Sequence, residues 1–380
     1  MAKNNKFAGF CRTLMLAASV IAITATAAYP QDLGDLNDQI LANPQDSSLS
    51  LRYAQAAEEM GQLRLALAGY ERVMINEPDN IEARRGYERV RRMLEPPFTT
   101  FRLEVGARWD SNVLNSGIAD EEAYSIFSEA TLIDERPFGG ARRWRSIVNF
   151  EGEVTPEFDQ LNYAFLGAQT GPLFYVAPHV AAIPSIGVGV ATLDGSHYFN
   201  DINASLTIEG KQSGVSYWSR LRGGWRDYSD ESTADNGVYA EAMGGVSVPR
   251  ILSESDTLTV VPWVRWSDIE GSTFNFLTGE VTPGEFFEYG VDAAYHYQAN
   301  DHIRLSGGAV AREREYSQTM VGPSERRDTY VAPEVAMTVG NIMPCECAVR
   351  MSYQYRFNDS NDPAADFDAQ RVSLSLIARF

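Results

Sequence analysis

The twelve residues Ala369 to Phe380, AQRVSLSLIARF, constrain this chain most. Val372, Leu374, Leu376, Ala378 and Phe380 share one parity, while Arg371, Ser373, Ser375 and Arg379 take most of the other. A period of two places apolar side chains on one face of an extended strand, not on the stripe of a helix. Strands that face lipid on one side and a polar lumen on the other must alternate in this way, and their backbone is satisfied only when the sheet closes on itself. An aromatic carboxy-terminal residue on the apolar parity is the pattern expected of a membrane barrel. Leu374, Leu376 and Phe380 are therefore read as the residues that signal barrel assembly.

Hydropathy is compatible with that reading. The chain is 44% hydrophobic with a mean hydropathy of -0.26, and no apolar run of eighteen residues follows the first thirty. No transmembrane helix is expected there, and a barrel averages to modest values because its two faces cancel. Residues 1–27 carry Lys3, Lys6 and Arg12, then the apolar run TLMLAASVIAI, then Ala25-Thr26-Ala27. This is the layout of a secretory signal peptide. Cys11 lies before the apolar run, away from the cleavage point, and leaves with the leader. Without the leader the chain has 29 basic and 51 acidic residues, a net charge of -22, so nucleic acid is excluded as a partner. Cys345 and Cys347 are only two residues apart, a spacing at which a bridge is strained, and two thiolates do not complete a zinc site.

Residues 28–97 read as a small helical domain. In GQLRLALAGYERVMINEPDN, Gly61, Ala66, Tyr70 and Pro78 stand where a tetratricopeptide repeat needs a tight turn, a small packing residue, an aromatic and a helix stop. Pro44 and Pro78 are thirty-four residues apart, as are Tyr53 and Tyr87, and Ala54 and Ala57 supply small residues in the first unit. Helices of such repeats present a concave face to extended partners, which makes Tyr53 and Tyr70 candidate cargo contacts. Glu95-Pro96-Pro97 ends the helical pattern.

From Phe98 the period changes from 3.6 to 2 and stays there. Fourteen strands are expected, at 98–109, 124–134, 143–154, 161–174, 180–193, 198–210, 215–228, 238–250, 257–269, 285–298, 302–316, 329–341, 347–358 and 369–380. An even number suits a bacterial barrel with both ends in the periplasm, and so do long connections after odd strands and short ones after even strands. EFDQ, after the third strand, is shorter than its place predicts. Parity assigns Arg102, Glu104, Arg108, Arg220, Arg222, Arg226, Glu288 and Asp292 to the lumen. Pro184, Pro262 and Pro333 fall inside strands, where each removes a ladder donor, so bulges or shifted boundaries are expected. The fold class is thus an all-β transmembrane barrel behind a small α-helical, tetratricopeptide-like domain, with 98–380 as the barrel.

No motif of hydrolytic or phosphate-binding chemistry is present, and His179, His197, His296 and His302 lie near strand ends. Glu288, Asp292 and His296 recur at about 13 Å along one strand face, too far apart for joint ligation of a metal, and read as a solvated lumen row. No enzyme activity and no cofactor are expected. Asp110-Ser111-Asn112 follows the first strand and Asn358-Asp359-Ser360-Asn361-Asp362-Pro363 the penultimate one; closure puts both clusters on one rim, where turn chemistry accounts for them.

RWDSNVLNS after the first strand, SYQYRFNDSNDP at the penultimate one and the terminal RVSLSLIARF, behind a leader and a helical repeat segment, resemble the surface lipoprotein assembly modulator (Slam) family. The resemblance implies a periplasmic tetratricopeptide domain joined to a fourteen-stranded outer-membrane barrel that moves a lipoprotein or secreted protein to the cell surface. Outer-membrane lipid and the barrel assembly machinery would be its other partners. The chain departs from fuller members in holding only about two repeats. Two further readings stand beside it: a polysaccharide export porin with periplasmic repeats, and a structural or diffusion porin.

Overall fold

A computed structural model of the chain describes residues 33–139, 142–177, 179–275, 280–317, 325–340 and 346–380. The leader assigned to residues 1–27 and Cys345 lie outside the described residues; Cys347 is disulfide-bonded. The chain divides into two compact units, parted between Tyr87 and Glu88. That division falls inside the last helix, ten residues before the domain boundary expected from sequence.

The first unit is built from α1 (Leu33–Ala42), α2 (Ser47–Glu59), α3 (Leu63–Asn76) and the start of α4 (Ile81–Met93). The Asp46 carboxylate caps α2 by accepting from the Ser48 and Leu49 amides at 2.9 and 3.2 Å. Thirty-four residues later, Asn80 caps α4 by accepting from the Ala83 amide at 3.0 Å. Gly61 turns the chain between α2 and α3 at φ 72°, a left-handed conformation that costs glycine nothing. Ala54, Ala57 and Ala66 are fully buried. Tyr70 is buried as well: its hydroxyl donates to Glu58 at 2.7 Å, and a Cβ on Gly86 would stand 2.3 Å from its ring. Tyr70 therefore packs helices together and offers no surface to a cargo, whereas Tyr53 is half-buried.

The second unit is a closed antiparallel barrel of fourteen strands. In chain order they are β1 (Phe98–Asp110), β2 (Ala123–Pro137), β3 (Arg143–Val154), β4 (Tyr163–Ala177), β5 (Val180–Leu193), β6 (Ser196–Gln212), β7 (Val215–Tyr228), β8 (Gly237–Pro249) and β9 (Asp256–Asp268). After a separate hairpin of β10 (Ser272–Asn275) and β11 (Glu280–Pro283) come β12 (Phe286–Gln298), β13 (Ile303–Tyr316), β14 (Arg327–Gly340), β15 (Glu346–Ser360) and β16 (Phe367–Arg379). All fourteen expected strands are present. The hairpin is new, in a connection that gave no alternating pattern long enough to read.

Closure is made by β1 against β16, from Arg102 opposite Arg379 to Asp110 opposite Arg371. At the end of this seam Phe101 and Phe380 exchange backbone hydrogen bonds of 3.0 and 2.9 Å, and their rings stack at 6.1 Å. The two faces separate cleanly. Leu166, Val188, Ile202, Leu221, Val264, Leu305, Val335, Met351, Leu374 and Leu376 are exposed on the outside, while Glu104, Asp201, Glu288, Arg314 and Arg356 are buried on the inner parity.

The three prolines correct the sequence reading. Pro184, Pro262 and Pro333 lie within strands whose boundaries stand, and the register is the same on either side of each. The ladder is only interrupted, toward β4 beside Pro184, toward β8 beside Pro262 and toward β15 beside Pro333. A strand residue donates to one neighbour only, so a missing N–H opens one ladder locally and leaves the other paired.

The longest connections, 111–122, 155–162, 229–236, 269–285 and 317–326, follow odd strands at one end together with the shorter 361–366, and none at the other end is longer than 250–255. An exception is the two-residue turn Asp194-Gly195 between β5 and β6, at φ 51° and 72°. Ser213-Gly214 makes the same turn at the short-connection end, at φ 52° and 86°. Two consecutive positive φ values are the signature of the type I′ hairpin turn, whose twist matches that of the strands.

Candidate functional site

The inner wall carries a row of alternating charge that exists only because of register. Arg222 lies opposite Glu241, Glu241 opposite Arg265, Arg265 opposite Glu288, Glu288 opposite Arg314, and Arg314 opposite Asp328. The row crosses β7, β8, β9, β12, β13 and β14 at one level. Arg265 Nε donates to Glu241 at 2.9 Å and its Nη1 to Glu288 at 3.2 Å. Arg314 Nε donates to Glu288 at 2.7 Å, and so does Trp263 Nε1. Glu288 is 0% exposed. A carboxylate so placed is tolerable only because several cationic donors surround it.

The solvated row expected from sequence is thereby corrected. Glu288 is the buried centre of the charge row; Asp292 is open to the lumen, and His296 shares a hydrogen bond of 2.8 Å with Ser306. Asp292 and His296 also line a cavity of about 290 Å³ with Glu334 and Arg350.

On β6 to β8, Asp201 accepts from Arg222, Arg226 and the Tyr239 hydroxyl at 3.2, 3.5 and 2.7 Å. The exposures differ systematically: the side chains of Arg220, Arg222, Arg226 and Arg265 are 25 to 32% exposed, against 1% for Asp201 and 13% for Glu241. The carboxylates lie beneath a layer of guanidinium groups, so the surface offered to the lumen is cationic. The Arg226 guanidinium carbon lies over Phe199 and Tyr239, 4.7 and 4.8 Å from the ring centroids.

The wall of β1 to β3, about a third of the circumference away in strand order, is mixed in sign with a small excess of carboxylates, since Glu135 there pairs with Arg143 and Arg145. Glu104, Glu129, Glu151 and Glu153 share it with Arg102 and Arg108, which pair with Glu104 and with Glu153. The sequence placed Arg102, Glu104, Arg108, Arg220, Arg222, Arg226, Glu288 and Asp292 on one face. Closure distributes them over three stretches of wall, on β1, β7 and β12.

A second constellation lies where the long connections meet the wall. Arg356 of β15 is 1% exposed and bonds Asp110, Asn115 and, at 3.2 Å, the Asn112 carbonyl. Arg371 of β16 donates to the other Asp110 oxygen at 2.9 Å. The loop 111–122 is also tied to the loop 361–366 by the Gly117 amide, which donates to Ala364 O at 3.0 Å, and a Cβ on Gly117 would stand 2.2 Å from Asp366 O. The two clusters that closure was expected to bring to one rim do meet. Turn chemistry does not exhaust their role, because Asp110 and Arg356 form a buried ion pair.

The same loop sends Val113 and Leu114 against an apolar cluster of Leu161, Tyr198, Phe199, Tyr228, Ile269 and Phe274. Phe274 comes from the β10–β11 hairpin and is fixed by its amide, which donates to the Tyr198 hydroxyl at 2.8 Å. Loops from several strands thus pack into the mouth at this end. Sequence reasoning missed this core because Val113, Leu114 and Phe274, which cover the strand-end residues Tyr198, Phe199 and Tyr228, fall in connections outside any period.

Leu374, Leu376 and Phe380 are all exposed on the outer face. Among the described residues no three His, Cys, Asp or Glu side chains are grouped to hold a metal ion.

No family model matches the chain, and no curated protein matches it in sequence. Among solved structures it is similar to the outer membrane channel DcaP of Acinetobacter baumannii, at 9% identity and a TM-score of 0.46 over 75% of this chain and 97% of that one. It is likewise similar to OprB of Pseudomonas putida, at 8% identity and a TM-score of 0.43 over 75% of this chain and 94% of that one. OmpF of Salmonella typhi, in complex with daunomycin, gives 9% identity and a TM-score of 0.42 over 75% and 97%. Likenesses of this degree carry nothing about solutes or partners to this chain.

Proposed function

We propose that the chain is an outer-membrane component of protein export, which assists passage of a secreted protein or lipoprotein to the cell surface. The observation that carries this reading is the joining of two capped helical hairpins in thirty-four-residue register to a barrel whose long-connection mouth is packed with its own loops. Repeat-like hairpins suit reception of an extended client. An outer band of aliphatic residues supports residence in lipid, with the helical unit in the periplasm. The test is the surface proteome of cells carrying the full chain against cells carrying a chain without residues 33–93. Loss of one or more surface proteins, with their retention in the periplasm and a folded barrel, is expected; an unchanged surface proteome overturns the reading.

A second reading, a channel for small charged solutes, is favoured by the arginine surface that the β6–β9 wall offers to the lumen. Fixed charges on low-dielectric walls focus the field across an aqueous passage. Steady ion conductance in planar bilayers, with no change in surface proteins on deletion of the helical unit, would select it.

A further inference from the structure

We infer that the β6–β9 wall holds a binding site for small solutes bearing two or more oxyanion groups, phosphate or carboxylate. The site is the guanidinium layer of Arg220, Arg222, Arg226 and Arg265, backed by the buried carboxylates of Asp201 and Glu241. Those two carboxylates hold four cations in place, and Glu288 draws on Arg265 from the far side. Positive charge is therefore in excess at the surface, where it is exposed.

The donors are also available. Arg220 and Arg222 make their described bonds to Glu241, Met243 and Asp201 through Nη2 alone; their Nε atoms are buried, which leaves Nη1 and the second Nη2 hydrogen of each to meet a solute. A guanidinium has five N–H donors in a planar fork that matches an oxyanion edge. Ser205 and Thr207 of β6 stand opposite Arg222 and Arg220 in register and add hydroxyls to the same patch. Arg220 and Arg222 are about 7 Å apart along the strand, and Arg222 and Arg265, one strand removed, about 10 Å apart. Such spacings suit two charged groups of one small molecule. The patch is rigid, since each arginine is tied to a carboxylate and Arg226 lies over two rings, so little ordering is needed on binding.

The experiment titrates the full chain in detergent with sodium tripolyphosphate and, separately, with sodium citrate at low salt. Saturable binding of at least one is expected, weakened several-fold when the ionic strength is raised to about 0.5 M. The variant R220Q/R222Q is expected to lose at least tenfold in affinity. Arg304→Gln, which alters an arginine lining a separate cavity at the short-connection end, should bind as the unaltered chain does. Glu241→Gln removes a backing carboxylate and should tighten binding, which reads the site even where the double variant fails to assemble. Binding of neither anion, equal binding by R220Q/R222Q with normal heat-shifted mobility, or no change in Glu241→Gln would overturn the assignment.

Discussion

Asp110 and Arg356 stand 246 residues apart in sequence and meet as a buried ion pair, each side chain only 2% exposed, beneath the loop 111–122. The pair joins the seam strands to the penultimate strand and fixes the loop that enters the mouth. Removing one member of a buried pair costs up to about 3 to 5 kcal/mol; here Asp110 keeps Arg371 as a partner, so the cost falls toward the lower end of that range. Arg356→Met should therefore lower the urea midpoint of the barrel and release loop 111–122. Faster cleavage at Glu121 and Glu122 by a glutamate-specific protease is the readout. Adding Asp110→Leu strips Arg371 of its carboxylate as well and should lower the midpoint further.

The two faces of β7 give a contrast between adjacent residues. Leu221 is 61% exposed on the outer face, and Leu221→Glu should reduce assembled barrel by a cost of up to a few kcal/mol in lipid. Arg222→Gln should assemble normally. The sequence alone suggests that Arg222→Glu is equally harmless, but the structure sets Arg222 beside Asp201 and opposite Glu241, so that change places three carboxylates together and should also impair assembly. Heat-shifted gel mobility measures all three.

Gly86→Ala is expected to destabilise the helical unit although alanine is the better helix former. The gain in propensity is about 1 kcal/mol, whereas the new methyl would lie 2.3 Å from the Tyr70 ring, which its bond to Glu58 prevents from turning away. Overpacking of this kind costs about 1 to 3 kcal/mol. Loss of helical signal at lower temperature in the full chain would show it, and Y70L in the same chain should restore the transition.

Protonation of one cap should also be visible. The Ser48 hydroxyl, with the Leu49 amide, holds the Asp46 carboxyl below its ordinary value of 3.8. A carboxylate with a lowered pKa in the folded state stabilises above the ordinary value, and that contribution is lost as pH falls through the lowered one. The start of α2 should fray below about pH 4. Asp46→Asn keeps a capping oxygen without a charge and should remove this pH dependence, as measured by circular dichroism at 222 nm.

The chain by itself determined a great deal here, because a barrel strand must alternate. Each segment from Phe98 to Arg379 carried its own record of period and parity, and closure left only two faces to assign. Strand number, and strand placement to within three residues, were legible from local pattern alone. The turn at Gly61 was equally local. What the tertiary structure alone decided is which inward residues meet. The row from Arg222 to Asp328 depends on the relative slide of six strands, and Asp110 reaches Arg356 only because the first and last strands close the sheet. Tyr70 changed role for the same reason: an aromatic at its repeat position fits both a packed core and a binding face, and only the ring's place under Gly86 separates the two. Period is encoded in neighbouring residues, whereas register and loop packing are sums over the whole circumference.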